Sequence, residues 1–476
     1  MILMKRNILF LFWLSCTAAL FRCSSDEPTF VSGGSNTPPE IVALSATPPL
    51  IGRRQTTTLL VQAIDQDNDA LRYAWSASAG VFLQGTDRKY ALWQAPDALG
   101  RYECQVKVDD GTETAIGKIV VEVAPVAILQ VSHDALDYSY TESERVLTLE
   151  NKGAVDLHWQ AEPVQPWLQA NPSQGVLAAA EQRQVHITLS RAGLAAGEYT
   201  GIVGFRSDGG DRDVAVYLDV PITPTMLQIP AGNFTMGSQD GASDERPVHT
   251  IHLEAFWMDR YEVTNAQFAD FLNQLHPTVV RHPAYTAVSK DGVTLIYLYP
   301  IYREGRNVGC PILYVDGRFE VERHEANTPA RFVTWHGAFA FARFYGKRLP
   351  TEAEWEKAAR GTNAALYPWG EAAPTRWYSN YDDRLGYLTR VGSYSPLGDS
   401  PYGCADMAGN VWEWCSSLYR PYPYQATDGR EDAAAKGYRV LRGGAWDSPS
   451  INLRTSLRSF QDPLYQHPSF GFRCAK

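Results

Sequence analysis

The sequence predicts a multidomain protein in which two all-β sandwiches precede an α+β domain. Its 476 residues exceed one typical domain and suggest about three. Between residues 40 and 222, apolar residues recur at every second position, which is the period of half-buried strands. From residue 223 onward, helix-capping residues lead into apolar patterns of helical period, and the last part of the chain is rich in Trp and Gly.

The composition limits the classes of function that the protein can have. A hydrophobic content of 45% with 20% charged residues is typical of a folded, soluble chain. The net charge of −10 argues against a nucleic-acid-binding protein, which would need a basic patch. The seven cysteines show no CxxC spacing, so the sequence favours neither a disulfide scaffold nor a zinc site.

Residues 1–23 are predicted to be an export signal. Lys5 and Arg6 precede an apolar run over residues 8–20 that is too short to span a bilayer comfortably. Cys23 follows this run, as in a bacterial lipoprotein signal, and is the predicted lipidated residue. Cys16 is the competing choice, and simple secretion is the alternative. Residues 24–39 are a polar linker, so we expect the protein at the cell envelope, anchored by lipid to the outer membrane or cell surface.

Residues 40–123 are predicted to form an immunoglobulin-like sandwich. Two runs alternate apolar and polar residues, as strands with one buried face do. A Trp on the earlier run, and a Tyr two residues before a Cys on the later one, resemble an immunoglobulin-type domain. No Cys lies on an earlier strand, so we interpret Cys104 as a buried thiol. The two runs are Leu71, Tyr73 and Trp75, and Tyr102, Cys104, Val106 and Val108.

Residues 124–222 are predicted to form a second β-sandwich. Strands are expected at residues 146–149, 185–189 and 199–203, separated by turns rich in Asn, Asp and Gly. The segment around Trp167, followed by Pro172 and Gly175, resembles the BACON-type modules of bacterial surface proteins. Neither β-module carries a clustered catalytic set. We therefore expect both to hold the third domain away from the membrane, with carbohydrate or mucin binding as the alternative.

Residues 223–476 are predicted to form the α+β domain. Thr264 with Gln267, and Thr351 with Glu354, have the spacing of capping boxes at helix starts. A further helix is expected from Trp335 to Tyr345, because Gly346 ends it. The stretch 276–324 is rich in Tyr, Gly and Pro and reads as a long loop bordering the binding face.

Five motifs stand out in this domain. They are residues 229–237, 259–265, 346–356, 402–414 and 438–446, closed by residues 471–474. Their main features are paired glycines beside Trp and Arg, with Asn410 and Glu413 in one Trp-rich stretch. In the order of these motifs the domain resembles the formylglycine-generating enzyme (sulfatase-modifying factor) family, and the resemblance implies a compact C-type-lectin-like fold.

The resemblance also implies what chemistry to expect. Enzymes of the family oxidise a Cys of an unfolded sulfatase with O₂ and a copper ion held by two cysteines. Ser448 and Leu453 stand at those two positions here, and Ala445 replaces a frequent Ser. Cu(I) needs soft thiolate ligands, which neither residue supplies. We therefore expect no bound copper, no catalytic residues and no formylglycine generation; an enzyme of this family with a related oxidation remains the alternative.

Calcium is the cofactor that the resemblance favours. Asn410, the carbonyl of Val411 and Glu413 match one calcium site of the family, and hard oxygen ligands suit this ion. Asn380, with Asp383 after it, is the candidate for a second site. The alternative is that Asn410 and Glu413 only form hydrogen bonds within a Trp-rich turn. The pairing of Cys310, Cys404, Cys415 and Cys474 stays open, although an exported protein permits disulfides.

The segment 447–470 is the predicted ligand-binding surface. Exposed aromatic residues beside short polar ones provide contact area at low entropic cost. This end of the chain also resembles the variable C-termini of proteins diversified by retroelements, so a diversified binding protein is one alternative and an ordinary loop is another. We expect non-catalytic binding of a protein or carbohydrate, or envelope assembly. The predicted contact residues are Asp447, Ser448, Ser450, Phe460, Tyr465, His467 and Phe470.

Overall fold

The structure is a computed structural model that describes residues 36–138, 140–299, 302–303, 306–307 and 309–476. The predicted signal, Cys16, Cys23 and most of the linker lie outside the described residues. The chain divides into two compact units, residues 1–125 and residues 126–476. Among the described residues, no helix has the length and apolar character needed to cross a membrane. The prediction of several domains rich in β-structure is confirmed.

The first unit consists of two four-stranded sheets, with strand orders β1-β3-β6-β5 and β2-β8-β7-β4. Leu59 and Trp93 of the first sheet and Val106 of the second belong to one buried cluster. Cys104 is in the same cluster, and burial raises the pKa of its thiol to about 11, so it is the buried thiol that the sequence predicts. The strands are β1 Glu40–Thr47, β2 Leu50–Ile51, β3 Thr56–Ile64, β4 Arg72–Ala77, β5 Val81–Gln84, β6 Tyr90–Gln94, β7 Gly100–Asp109 and β8 Thr114–Val123.

The second unit begins with nine strands in two sheets, ordered β10-β17-β16-β12-β14 and β13-β15-β11-β9. Leu149 and Ile187 of the smaller sheet are buried in one cluster with Trp159 and Phe205 of the larger sheet, because alternate residues of each strand point into it. The strands are β9 Leu129–Val131, β10 Ala135–Tyr138, β11 Glu144–Asn151, β12 Leu157–Pro163, β13 Leu168–Asn171, β14 Gln174–Leu177, β15 Gln182–Leu189, β16 Gly197–Ser207 and β17 Arg212–Val220.

The C-terminal domain combines three helices with short strands. The helices are α1 Asn265–Leu275, α2 Trp335–Phe344 and α3 Glu352–Arg360. The strands are β18 Met226–Ile229, β19 Gly232–Met236, β20 His249–Leu253, β21 Phe256–Asp259, β22 Thr278–Arg281, β23 Thr286–Lys290, β24 Val293–Leu298, β25 Tyr302–Arg303, β26 Arg306–Asn307, β27 Ile312–Val315, β28 Arg318–Val321, β29 Trp412–Leu418, β30 Arg439–Arg442, β31 Ser459–Gln461 and β32 Phe470–Gly471.

The predicted helix starts are confirmed. Thr264 and Thr351 each accept a hydrogen bond from the backbone three residues later, and Gln267 and Glu354 bond back to complete both capping boxes. The α1 helix buries Phe268, and it does so against Phe341 of α2 with ring centroids 5.8 Å apart. These local signals decide where each helix begins, whereas the apolar contacts between helices hold it in place.

The prediction of a long loop over residues 276–324 is wrong. This stretch forms the antiparallel sheet β22-β23-β24 and the hairpins β25-β26 and β27-β28. Val288 and Ile296 of the sheet are fully buried in the domain core. β-branched and aromatic residues such as Val288, Ile296 and Tyr297 favour strands here, and Gly292 and Gly317 lie between paired strands.

Charged side chains are buried together at the centre of this domain. Arg442 is fully buried and donates to Glu356, and its Nε lies 3.5 Å from Glu352. Arg458 donates from Nε to the same Glu352 at 2.6 Å. Arg442 also donates to the carbonyls of Thr455 and Leu457 through Nη1. Helix α3 is therefore tied to the end of the chain through ion pairs from which water is excluded.

Candidate functional site

The last seventy residues fold around two adjacent glycines. Gly443 and Gly444 both have positive φ, at 96° and 74°. A Cβ atom on Gly444 would lie 2.9 Å from the carbonyl oxygen of Asn452, so only glycine fits there. Gly443 accepts a hydrogen bond from the backbone of Gly409 at 2.9 Å. The close approach brings the stretch 402–414 against the segment that begins at Trp446.

The two positions where the family's enzymes hold copper lie in this segment. The Ser448 hydroxyl is buried and accepts a hydrogen bond from the Ala445 backbone at 3.0 Å. Leu453 is fully buried in an apolar cluster with Tyr381 and Ala408. A hydroxyl engaged with the backbone and an isobutyl group provide no soft ligand, so these residues do not fit a Cu(I) ion.

Cys404, Cys415 and Cys474 of the C-terminal domain and Cys104 of the first unit are fully buried free thiols. Cys310 is fully buried as well. Burial raises the pKa of Cys404 to about 11 and raises that of Cys474 well above its usual value, so neither thiol forms a nucleophilic thiolate near neutral pH. The disulfides that export would permit are not formed among these residues.

The predicted calcium ligands Asn410 and Glu413 form hydrogen bonds with different partners. Glu413 accepts two hydrogen bonds from Arg473, each at 2.7 Å, and one from Trp355 at 2.9 Å. Asn410 Oδ1 instead accepts from the Thr389 backbone at 3.0 Å. Glu413 is therefore the buried partner of Arg473, whose guanidinium compensates its charge, and its role as a calcium ligand stays a prediction.

The other predicted calcium ligands are divided between the interior and the surface. Asn380 is buried, and its amide donates to the Tyr387 carbonyl at 3.0 Å and lies 3.5 Å from Asn410 Oδ1. Val411 is buried against Trp446 in a small apolar cluster. Asp383 is exposed, with its backbone N–H donating to the Trp446 carbonyl. Asn380 and Asn410 are thus neighbours, whereas the carboxylate of Asp383 lies at the surface.

Two buried carboxyl groups next to Asn410 were missed by sequence reasoning. Glu262 is fully buried and accepts one hydrogen bond from Asn410 Nδ2 at 3.2 Å, and its Oε2 has no partner among the described residues. Burial, and then the charge of Asp406, raise the pKa of Glu262 well above its usual value. Burial also raises the pKa of Asp406, whose Oδ2 accepts from the Gly392 backbone at 2.6 Å.

This pair has the chemistry of a cation site. Two neighbouring carboxylates in a dry interior repel each other, and one of them has an unpartnered oxygen. The charge of Arg473 acts on both groups, but its guanidinium is already paired with Glu413. A divalent ion bound there would add positive charge, and oxygen donors suit calcium, so calcium at Glu262 and Asp406 stays a prediction. Glu262 stands in the motif 259–265, which the sequence ties to the family resemblance and to the helix start at Thr264 but not to a site.

The predicted ligand-binding surface is part exposed and part interior. Phe460 is 43% exposed and stacks on Tyr419, with ring centroids 4.2 Å apart, and Tyr438 lies 5.3 Å away. Tyr465 is 46% exposed and faces the His467 ring at 6.4 Å. These aromatic side chains give the segment two exposed apolar patches, one around Phe460 and one around Tyr465.

The polar members of the surface divide in the same way. Asp447 and Ser450 are exposed, and Asp447 accepts a hydrogen bond from the Ser469 hydroxyl at 2.8 Å. Ser448 and Phe470 are corrected from contact residues to interior residues, since Phe470 packs on Trp414 with centroids 5.6 Å apart. His467 is half-buried, and burial lowers the pKa of its imidazole, which keeps it neutral near pH 7.

Comparison with known proteins identifies the C-terminal domain. The model of the Sulfatase-modifying factor enzyme 1-like domain matches residues 218–476, more than half of the chain. The chain belongs to this family. A model described as a Viral BACON domain matches residues 128–216, which confirms the BACON resemblance of the second β-module.

Three relatives of the sulfatase-modifying-factor domain cover about half of this chain. The serine/threonine-protein kinase pkn1 of Chlamydia pneumoniae is 39% identical over 262 residues, covering 54% of this chain and 38% of its own length. The formylglycine-generating enzyme of Streptomyces coelicolor is 36% identical, covering 53% of this chain and 89% of its own length. The inactive C-alpha-formylglycine-generating enzyme 2 of Bos taurus is 31% identical, covering 53% of this chain and 88% of its own length.

Proposed function

We propose that this protein is an envelope lipoprotein whose sulfatase-modifying-factor domain binds a ligand without catalysing a reaction. The observation that carries this proposal is the pair Ser448 and Leu453 at the copper positions. Ser448 is hydrogen-bonded to the backbone and Leu453 is packed in an apolar cluster. A small movement of either side chain would therefore not create a copper ligand. The two β-modules, each proposed to be a two-sheet sandwich, serve as spacers between the membrane and this domain.

The names of two relatives indicate that the domain also occurs in proteins that are not named as active formylglycine-generating enzymes. The Bos taurus relative is named inactive, and the Chlamydia relative is named a protein kinase although this chain matches only 38% of its length. The domain therefore occurs in proteins that bear other names than formylglycine-generating enzyme. The enzyme of Streptomyces coelicolor is the relative that makes family catalysis the second candidate.

The first prediction tests catalysis directly. With copper and O₂ supplied, the purified protein is expected to leave the cysteine of a sulfatase-derived peptide unchanged, because no thiolate pair holds the metal. Mass spectrometry of the peptide measures this, with a formylglycine-generating enzyme as the positive control. Conversion of the cysteine to formylglycine would refute the non-catalytic proposal.

The second prediction concerns the exposed aromatic patches. Screening the protein on glycan and peptide arrays is expected to give ligands whose affinity falls about tenfold or more in Phe460→Ala or Tyr465→Ala, since truncating an aromatic hot-spot residue costs about 2 kcal/mol or more. Trp377→Ala is the matched control, because Trp377 is an exposed aromatic residue of the same domain outside residues 447–470. If a ligand binds all three variants equally well, residues 447–470 are not its binding surface.

The third prediction tests the anchor. Cys23→Ala is expected to move the protein from the membrane fraction to the soluble fraction, because a thioether-linked lipid needs that thiol. Cys16→Ala is the matched control and is expected to leave the fractionation unchanged. Retention of a Cys16→Ala, Cys23→Ala double variant in the membrane fraction would contradict lipid anchoring.

A further inference from the structure

The BACON-like module and the sulfatase-modifying-factor domain meet inside the second unit through polar contacts. Asn327 of the C-terminal domain donates to the Val220 carbonyl at 2.9 Å and accepts from the Ile222 backbone at 2.6 Å. The guanidinium carbon of Arg323 lies 3.5 Å from the centroid of the Tyr217 ring on β17. Residues 323–327 are thus pressed against the last strands of the module.

Three side chains with metal-binding atoms converge at this junction. Glu198 lies on β16, Asp219 lies on β17, and His324 comes from the C-terminal domain. One carboxylate oxygen of each acid and one imidazole nitrogen all lie within 4.8 Å of one another. His324 Nδ1 is 2.6 Å from Glu198 Oε2. We propose that Glu198, Asp219 and His324 bind a zinc-type transition-metal ion that fastens the two domains together.

Asp219 is the observation that points to an ion rather than to a simple ion pair. It is only 8% exposed, and its Oδ2 accepts one hydrogen bond, from the His324 backbone at 3.1 Å. The charges of His324 and Arg191 act on it, but neither forms an ion pair with its carboxylate within 4.0 Å among the described residues. A buried carboxylate beside a second carboxylate is costly unless a positive charge compensates it.

The ligand set indicates the class of metal. One imidazole with two carboxylates suits Zn²⁺, which takes nitrogen and oxygen ligands in tetrahedral sites, whereas calcium prefers oxygen ligands alone. Tetrahedral ligation places ligand atoms roughly 3.4 Å apart, and the exposed side chains of Glu198 and His324 can rotate to reach that spacing. A polar cavity of about 190 Å³ is lined in part by Asp219 and Arg323.

Cysteine spacing could not have revealed such a site. Its two outer ligands, Glu198 and His324, are 126 residues apart in the sequence. The lack of CxxC motifs argues only against zinc sites made of cysteines. It does not argue against a zinc site made of histidine and carboxylates.

The test uses the full chain freed of metal with EDTA and then dialysed. Titration calorimetry with ZnCl₂ is expected to show one more bound zinc equivalent in the wild type than in His324→Gln or Asp219→Asn. If these variants still bind that equivalent, their affinity for zinc is expected to be at least tenfold lower. His186→Gln is the matched control, because His186 pairs with Glu144 on the same module without a third ligand. It is expected to bind zinc within twofold of the wild type.

A second measurement separates binding from misfolding and tests the fastening. In EDTA, His324→Gln is expected to melt within 2 °C of the wild type, since its side chain is half-exposed. Zinc is expected to slow amide hydrogen exchange at least fivefold over residues 219–224 and 322–327 in the wild type and in His186→Gln, but not in His324→Gln or Asp219→Asn. Equal zinc binding by the wild type and both site variants, or binding without added protection, would overturn the proposal.

Discussion

Replacing Arg442 with methionine is expected to lower the free energy of unfolding of the C-terminal domain by about 3–5 kcal/mol, the range for breaking a buried ion pair. Arg442 is fully buried, and its loss leaves Glu356 Oε2 without its cationic partner in the interior. The carbonyls of Thr455 and Leu457 lose their donor as well. Urea unfolding followed by circular dichroism measures the difference.

Arg384→Met is the matched control for this substitution. Arg384 pairs with Asp382 at 3.6 Å in the same domain, with both side chains about half exposed. Exposed pairs contribute about 0–1 kcal/mol, because solvent screens them. If Arg442→Met lowers the free energy of unfolding no more than Arg384→Met does, water or neighbouring cations compensate Glu352 and Glu356. In that case the buried ion pairs do not hold α3 to the end of the chain.

The features predicted correctly from the sequence are those that depend on neighbouring residues. The helix starts at Thr264 and Thr351 follow from capping boxes only four residues long, so no distant part of the chain decides them. The same holds for the alternating strands of the two β-modules. In the stretch 276–324, the Gly and Pro content was misleading, because β23 and β24 are short and their burial does not alternate along the strand.

The site was harder to predict because its residues come from distant parts of the chain. Glu413 was assigned to calcium from a local motif, yet Arg473, sixty residues later, takes both of its oxygens. Glu262 and Asp406 meet only in the folded domain, and no spacing pattern joins them. Ser448 and Phe470 match the composition of a variable surface, but composition does not report burial.

Calcium is expected to raise the free energy of unfolding of the C-terminal domain by about 2.7 kcal/mol at a hundredfold excess over its Kd, by mass action on the native state. The physical reason is the pair Glu262 and Asp406, whose buried carboxyl groups share only the charge of Arg473, which is already paired with Glu413. In EDTA, the melting temperature should fall, and added CaCl₂ should restore it. Differential scanning calorimetry of the full chain resolves the transition of the second unit.

Glu262→Gln separates this site from the one built on Glu413. Because burial already disfavours the charged form of Glu262, the neutral glutamine is expected to melt in EDTA at or above the wild-type temperature, and to lose the calcium response. Asp383→Asn, at an exposed position, is expected to keep it. Glu413→Gln should destabilise the domain equally with and without calcium, since it weakens the pair with Arg473. A calcium response that survives Glu262→Gln but disappears in Asp383→Asn would assign the ion to Asn380 and its neighbours instead.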